Sequence, residues 1–265
     1  MGGADDAPSV ILMHGGGQTR HSWAGPMREL LDCGYRVINL DARGHGESDW
    51  PSDGDYRLDT LVADLRCVLS TLPSLPALVG ASLGGATQLR AVGMAERGIA
   101  AALVLVDIVP QVETMGTTRI ADFMRRHTEG FASLDEAANA VAEYNPHRPR
   151  PSDPSGLMKN LRTGSDGRYY WHWDPRFIAD PRRESPRQIA DQLEEAAPKV
   201  RVPTLLVRGM LSDVVTDAGV RALRDAIPHL EVRGVNGAGH MVVGDRNDRF
   251  HQAVIPFLHQ HHPVP

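Results

Sequence analysis

Short, mainly apolar runs alternate along this chain with longer stretches in which apolar residues return every three or four positions. Val10-Ile11-Leu12-Met13, Val37-Ile38-Asn39-Leu40, Ala77-Leu78-Val79, Ala102-Leu103-Val104-Leu105-Val106, Thr204-Leu205-Leu206-Val207 and Leu230-Glu231-Val232 are of the first kind. Runs of this length and composition suit strands of a parallel sheet buried on both faces. Between them, Trp23, Met27, Leu30 and Leu31 predict a helix from about Ser22 that Gly34 stops. Leu58, Leu61, Val62, Leu65, Val68, Leu69 and Leu72 predict a second, closed by Pro73, and Ala86, Leu89, Val92 and Ala95 a third, ended by Gly98. Two more helices are expected around Val220 to Ile227 and from about Asp245, the latter kinked or cut short by Pro256. Strand and helix in strict alternation imply right-handed crossovers and a mostly parallel sheet with helices on both faces.

The alternation breaks from about Pro110 to Lys199. This stretch has helical patches (Thr118 to Arg126, Leu134 to Tyr144, Gln188 to Ala196), four prolines (Pro146, Pro149, Pro151, Pro154) and the aromatic cluster Tyr169-Tyr170-Trp171-His172-Trp173. The chain therefore reads as one α/β domain formed by residues 1–109 and 200–265, with residues 110–199 inserted between two of its strands.

A length of 265 residues suits one such domain and a substantial core. The net charge of −5 gives no electrostatic footprint for nucleic acid, although Lys159 and Lys199 are the only lysines among 28 basic residues. That bias makes arginines at 125, 126, 148, 150, 182 and 183 more natural as a solvated face than as an anion guide. Cys33 and Cys67 fall in predicted amphipathic helices, as reduced, packed thiols. No apolar run approaches a membrane span, and Met1 to Ser9 is polar and acidic rather than signal-like. The expectation is a cytoplasmic protein acting on a small molecule, with neither nucleic acid nor membrane as partner; the sequence does not set an oligomeric state. His259, His261 and His262 lie beside Pro263 and Pro265 and read as a solvated tail.

Candidate chemistry centres on Gly80-Ala81-Ser82-Leu83-Gly84, where a strand meets a helix at a serine between glycines. This is the nucleophile-elbow pattern, in which the backbone is strained at the serine and too crowded beside it for larger side chains. A serine needs a base, and the base an orienting acid. His240 follows the last predicted strand and Asp213 the one before it, so both reach the sheet edge that carries Ser82. Asp107, at the end of an earlier strand, is the alternative acid. An oxyanion hole needs two backbone N–H groups: Leu83, immediately after the nucleophile, supplies one, and Gly16 in the turn after His14-Gly15, ahead of Gly17, the other. His14 and Asp41 read as structural, and His45 has no companion at metal-ligand spacing. No metal or cofactor is called for. Trp171 and Trp173 either line a substrate pocket or seal the insertion against the core.

The set His14-Gly15-Gly16-Gly17, Asp41-Ala42-Arg43-Gly44-His45-Gly46-Glu47-Ser48, Gly80 to Gly85, Arg208-Gly209 with Asp213, and Gly239-His240 resembles the α/β-hydrolase fold superfamily, in particular its lid-bearing bacterial esterases, lactonases, C–C hydrolases and cofactor-free haloperoxidases. The resemblance implies that residues 110–199 form a lid over the active site and that the enzyme is a serine hydrolase. Its implied substrate is a small to medium, fairly apolar carboxylic ester or lactone, cleaved through an acyl-enzyme on Ser82. The same triad also serves perhydrolysis or haloperoxidase chemistry and C–C bond hydrolysis, and a ligand-binding protein without turnover would need no intact triad. Members that open epoxides or remove halide carry aspartate at the elbow, where this chain has serine. Members usually begin with two further strands, for which the roughly nine residues before Val10 are too few. Either the sequence is a trimmed piece or those strands are absent, which would leave residues 37–40 as a sheet edge.

Overall fold

A computed structural model describes residues 1–144, 150–240, 242 and 247–264. In chain order it forms β1 (Ser9–Met13), α1 (Ala24–Asp32), β2 (Arg36–Leu40), α2 (Leu58–Leu69), β3 (Ala77–Ala81), α3 (Leu83–Gly93) and β4 (Ala102–Val106). Then follow α4 (Thr114–Arg125), α5 (Leu134–Tyr144), β5 (Leu161–Thr163), β6 (Tyr169–Trp171), α6 (Arg176–Ala179) and α7 (Pro186–Ala196). The chain closes with β7 (Thr204–Gly209), α8 (Asp217–Ala226), β8 (Leu230–Val235) and α9 (Asn247–His261).

Six strands pair in parallel in the order β2-β1-β3-β4-β7-β8. All C-terminal strand ends therefore lie along one edge, and loops after β1, β3, β4, β7 and β8 converge there. Every residue of β1 and β4 is buried, the consequence of helices on both faces. Side chains alternate between two clusters. Ile11, Leu78, Leu103 and Leu206 meet α2, α3 and α8 on one face, and Val10, Val79, Val104 and Leu205 meet α1 and α9 on the other.

The β2 edge is partly covered. Gly2 forms an antiparallel bridge to Val37, donating to its carbonyl at 3.1 Å and accepting from its amide at 2.8 Å. Such a bridge occupies hydrogen-bonding groups that an edge strand otherwise offers to another chain.

Residues 110–199 divide by what they pack against. Met124, Phe131, Ala137, Leu161, Trp171, Trp173, Phe177 and Ile178 form a third apolar cluster of their own. Leu193 of α7 instead joins the sheet's core, where α7 lies along α3. Gly93 of α3 faces the Ala196 carbonyl so closely that a Cβ there would sit 2.3 Å from the oxygen.

Several local expectations need correction. The helix expected from Ser22 begins as a 3₁₀ turn, Arg20–Trp23, capped by the Thr19 side chain. Cys67 is exposed and Cys33 half-buried, so neither is a fully packed thiol. Pro256 does not end the last helix, which runs to His261 with Val254, Phe257 and Leu258 buried: tertiary packing outweighs the one lost hydrogen bond. The helix start expected at Asp245, like Pro146, Arg148 and Pro149, lies outside the described residues. Nor is the C-terminal histidine cluster a free tail: His262 approaches the Ser9 carbonyl at 3.1 Å, and Tyr35 donates to the His262 carbonyl at 3.0 Å. Among the described residues, no helix is long and apolar enough to cross a membrane and no group of side chains is arranged to hold a metal ion.

Candidate active site

Ser82 sits between the last residue of β3 and the first of α3 with φ 46° and ψ −113°, a region open mainly to glycine. The turn is this tight because strand and helix touch through glycines. A Cβ on Gly80 would lie 2.5 Å from the backbone of Gly84 and Gly85, and one on Gly84 2.4 Å from the Met13 carbonyl. The Ser82 amide donates to Val106 O at 3.0 Å, which ties the elbow to the end of β4.

One residue beyond that carbonyl is Asp107, also at positive φ (50°) and fully buried. Its Oδ1 accepts from the Gly209 amide at 2.9 Å, and its Oδ2 accepts from Ser212 Oγ at 2.5 Å and from His240 Nδ1 at 2.7 Å. Buried charge is tolerable because three donors compensate it. With Nδ1–H committed to Asp107, His240 keeps Nε2 as an acceptor, the tautomer a general base requires.

Asp213 is therefore not the partner of His240. Its carboxylate, about two-fifths exposed, pairs with Arg119 of α4 at 2.9 Å. The turn after β7 spends Ser212 on Asp107 and turns Asp213 outward, where Gly116 lets α4 approach so closely that a Cβ there would lie 2.4 Å from the Asp213 carbonyl. Asp107 and Asp213 both follow buried strands, so sequence position does not separate them. Backbone direction at residue 107 does.

Ser82 and His240 line one cavity of about 260 Å³ with Gly16, Gly17, Leu83, Phe123, Met124, Trp173, Phe177, Ile189 and other mainly apolar residues. Leu83 is the first residue of α3, so its N–H has no intrahelical acceptor. In the turn after β1, the Gly15 amide donates to Gln18 Oε1 and the Gly17 amide to His45 Nε2, each at 3.0 Å. Gly16 is left as the amide of that turn without a partner among the described residues. Trp173 lines the cavity; Trp171 lies behind it, its ring stacked at 4.9 Å. The sequence missed Phe177, which lines the cavity and whose ring would lie 3.4 Å from a Cβ placed on Gly16.

Three buried histidines hold this turn, a role that sequence reasoning did not assign to His45 or His172. His14 Nδ1 donates to Gly15 O at 2.8 Å and Nε2 accepts from the Ala42 amide at 3.0 Å. His45 accepts from the Gly17 amide and donates through Nδ1 to Arg43 O at 3.0 Å. His172, from the inserted segment, accepts from the Gly46 amide at 2.8 Å and donates to Gly17 O at 3.3 Å. Each ring accepts a backbone N–H, so each is neutral, and burial pushes all three below the usual imidazole value, His172 to about 4. In the unfolded chain these rings take up protons near pH 6.5. As pH falls from 6.5 towards 4 the unfolded state thus binds protons that the folded state refuses, and stability is lost in that window. His172 alone accounts for about 3 kcal/mol by pH 4. Thermal melts between pH 4 and 7 should show a steep loss for the native chain and a shallower one for His172→Gln; equal slopes would contradict the assignment.

Comparison with known proteins agrees with this architecture. Residues 8–246 match the model of the alpha/beta hydrolase fold family. The chain is 32% identical over 253 residues to esterase Rv0045c of Mycobacterium tuberculosis, covering 91% of this chain and 79% of that one. It is 27% identical over 275 residues to non-heme chloroperoxidase CPO-A1 of Kitasatospora aureofaciens, covering 95% and 92%. A solved structure of the M. tuberculosis esterase superimposes with a TM-score of 0.78 at 30% identity, covering 95% of this chain and 85% of that one. With the parallel sheet, the glycine-walled elbow and a family match across nearly its whole length, this chain belongs to the alpha/beta hydrolase fold family and is an enzyme of that family.

Proposed function

We propose that the protein hydrolyses small to medium carboxylic esters, lactones included, through an acyl-enzyme on Ser82. The observation that carries this is the buried Asp107–His240 pair opening on the cavity that also receives Ser82. His240 Nε2 takes the Ser82 proton as Oγ attacks the carbonyl carbon, and Asp107 stabilises the imidazolium that results. The N–H groups of Gly16 and Leu83 donate to the developing oxyanion, each contributing about 3 kcal/mol of transition-state stabilisation. The protonated His240 returns its proton to the leaving alkoxide. It then activates water, which breaks the acyl–enzyme bond and frees the acid.

The inserted residues 110–199 act in this reading as the lid, with α7 as the part seated on the sheet's core. Phe123, Met124, Trp173 and Phe177 contribute apolar wall, suited to an apolar acyl or alcohol group and to keeping bulk water out.

A fluorophosphonate should label the folded protein on the peptide containing Ser82, with concurrent loss of p-nitrophenyl ester hydrolysis. Label on another residue, or none, would overturn the acyl-enzyme. The likeness to a chloroperoxidase makes peracid formation from a carboxylic acid and hydrogen peroxide the first alternative reaction to assay on the same residues.

A further inference from the structure

Besides His240, one charged side chain reaches the cavity wall among the described residues: Arg183. Its neighbours on the same turn are clamped, Arg176 on Asp174 and Arg182 on Asp180, each at 2.6 Å. The Arg183 backbone amide donates to Asp180 O at 3.0 Å, yet its half-buried side chain has no ion pair or hydrogen bond with any described residue. A guanidinium without a protein acceptor keeps its donors for a ligand, and its planar fork matches a carboxylate. Partial burial, and Arg125 close by, push its pKa down.

Arg183 also walls a second cavity that holds Asp53, Asp55 and Asp180. Those carboxylates are already engaged: Asp55 by Arg57 and Thr60, Asp180 by Arg182, Asp53 by the Asp55 amide. Arg183 shares its other cavity with Ser82, amid apolar residues such as Ile178, Pro186, Ile189 and Leu193.

We propose that Arg183 is a specificity-determining residue that receives a carboxylate carried on the ester remote from the scissile bond, so that the preferred substrates are half-esters of aliphatic dicarboxylic acids. The proposal rests on the ester-hydrolase reading. Water cleaves the half-ester to the alcohol and the dicarboxylate, and no co-reactant is needed. The apolar wall takes the methylene chain, and the guanidinium supplies two parallel charge-assisted hydrogen bonds to its far end.

The test separates binding from turnover. In Ser82→Ala, which leaves ligands intact, tryptophan fluorescence reports binding through Trp173. Methyl hydrogen glutarate, adipate and suberate are titrated beside neutral methyl esters of equal chain length. At least one half-ester should bind tenfold or more tighter than its neutral counterpart. That preference should fall below twofold with Arg183→Met, survive in part with Arg183→Lys, and weaken between 50 and 500 mM salt. Equal binding of charged and neutral esters, or a preference that persists in Arg183→Met, overturns the proposal. If the preference holds but native protein leaves the tightest half-ester intact, the carboxylate subsite stands and the hydrolase reading falls.

Discussion

Ser82→Gly should abolish ester turnover, by about a million-fold, while making the protein more stable. The rate loss would follow from removing the proposed nucleophile, because the remaining groups cannot form the acyl-enzyme and contribute only binding and oxyanion stabilisation. The stability gain follows from the backbone. At φ 46° and ψ −113° a Cβ is strained, at a cost of about 1–3 kcal/mol, and glycine relieves it. Glycine also widens the unfolded ensemble, which returns up to about 1 kcal/mol. The net rise should appear as a higher urea midpoint with an unchanged slope. A lower midpoint would mean that the elbow stores no strain. Ser82→Ala separates the two effects: it should lose the same activity without the stabilisation, since alanine keeps the Cβ.

Asp107→Asn should reduce turnover by about ten-thousandfold, with circular dichroism unchanged. Asparagine is isosteric and tolerates φ near 50° better than most residues, so the loop keeps its path. What changes is the proton: an amide facing Nδ1 favours the tautomer with Nε2–H, which cannot accept from Ser82. Asp213→Asn should change turnover only a few-fold, because its half-exposed pair with Arg119 is worth less than about 1 kcal/mol. The reverse order of effects would return the acid to the end of β7.

These two aspartates mark where the sequence stopped being legible. The strands of the main sheet were readable because each is short and mainly apolar at its centre, and Ser82 because glycines at 80 and 84 leave a strand-to-helix turn few other uses. His240 stood out as a histidine in a glycine-rich loop after the last strand. Asp107 against Asp213 was undecidable by position: both follow buried strands at the same sheet edge, and the choice rests on a positive φ at 107 and on where Ser212 spends its hydroxyl. His172 was invisible for another reason. Its partners lie at Gly17 and Gly46, more than a hundred residues away, and no local pattern announces a contact of that range. Arg183 was obscured by composition, since in a chain this rich in arginine only the missing partner distinguishes it.

The position of His172 has a thermodynamic consequence. One ring, carried on the inserted segment just after β6, is bonded at once to the turn that holds Gly16 and to the loop at Gly46. If that segment lifts away as a lid, both bonds break and Gly17 loses this support, so on the proposed mechanism the oxyanion-receiving turn would belong to the closed form. Coupling of this sort is reciprocal. On that mechanism a tetrahedral adduct on Ser82 should favour the closed segment by as much as closure favours the adduct, and a boronate or phosphonate inhibitor should act as a clamp on residues far beyond those it touches.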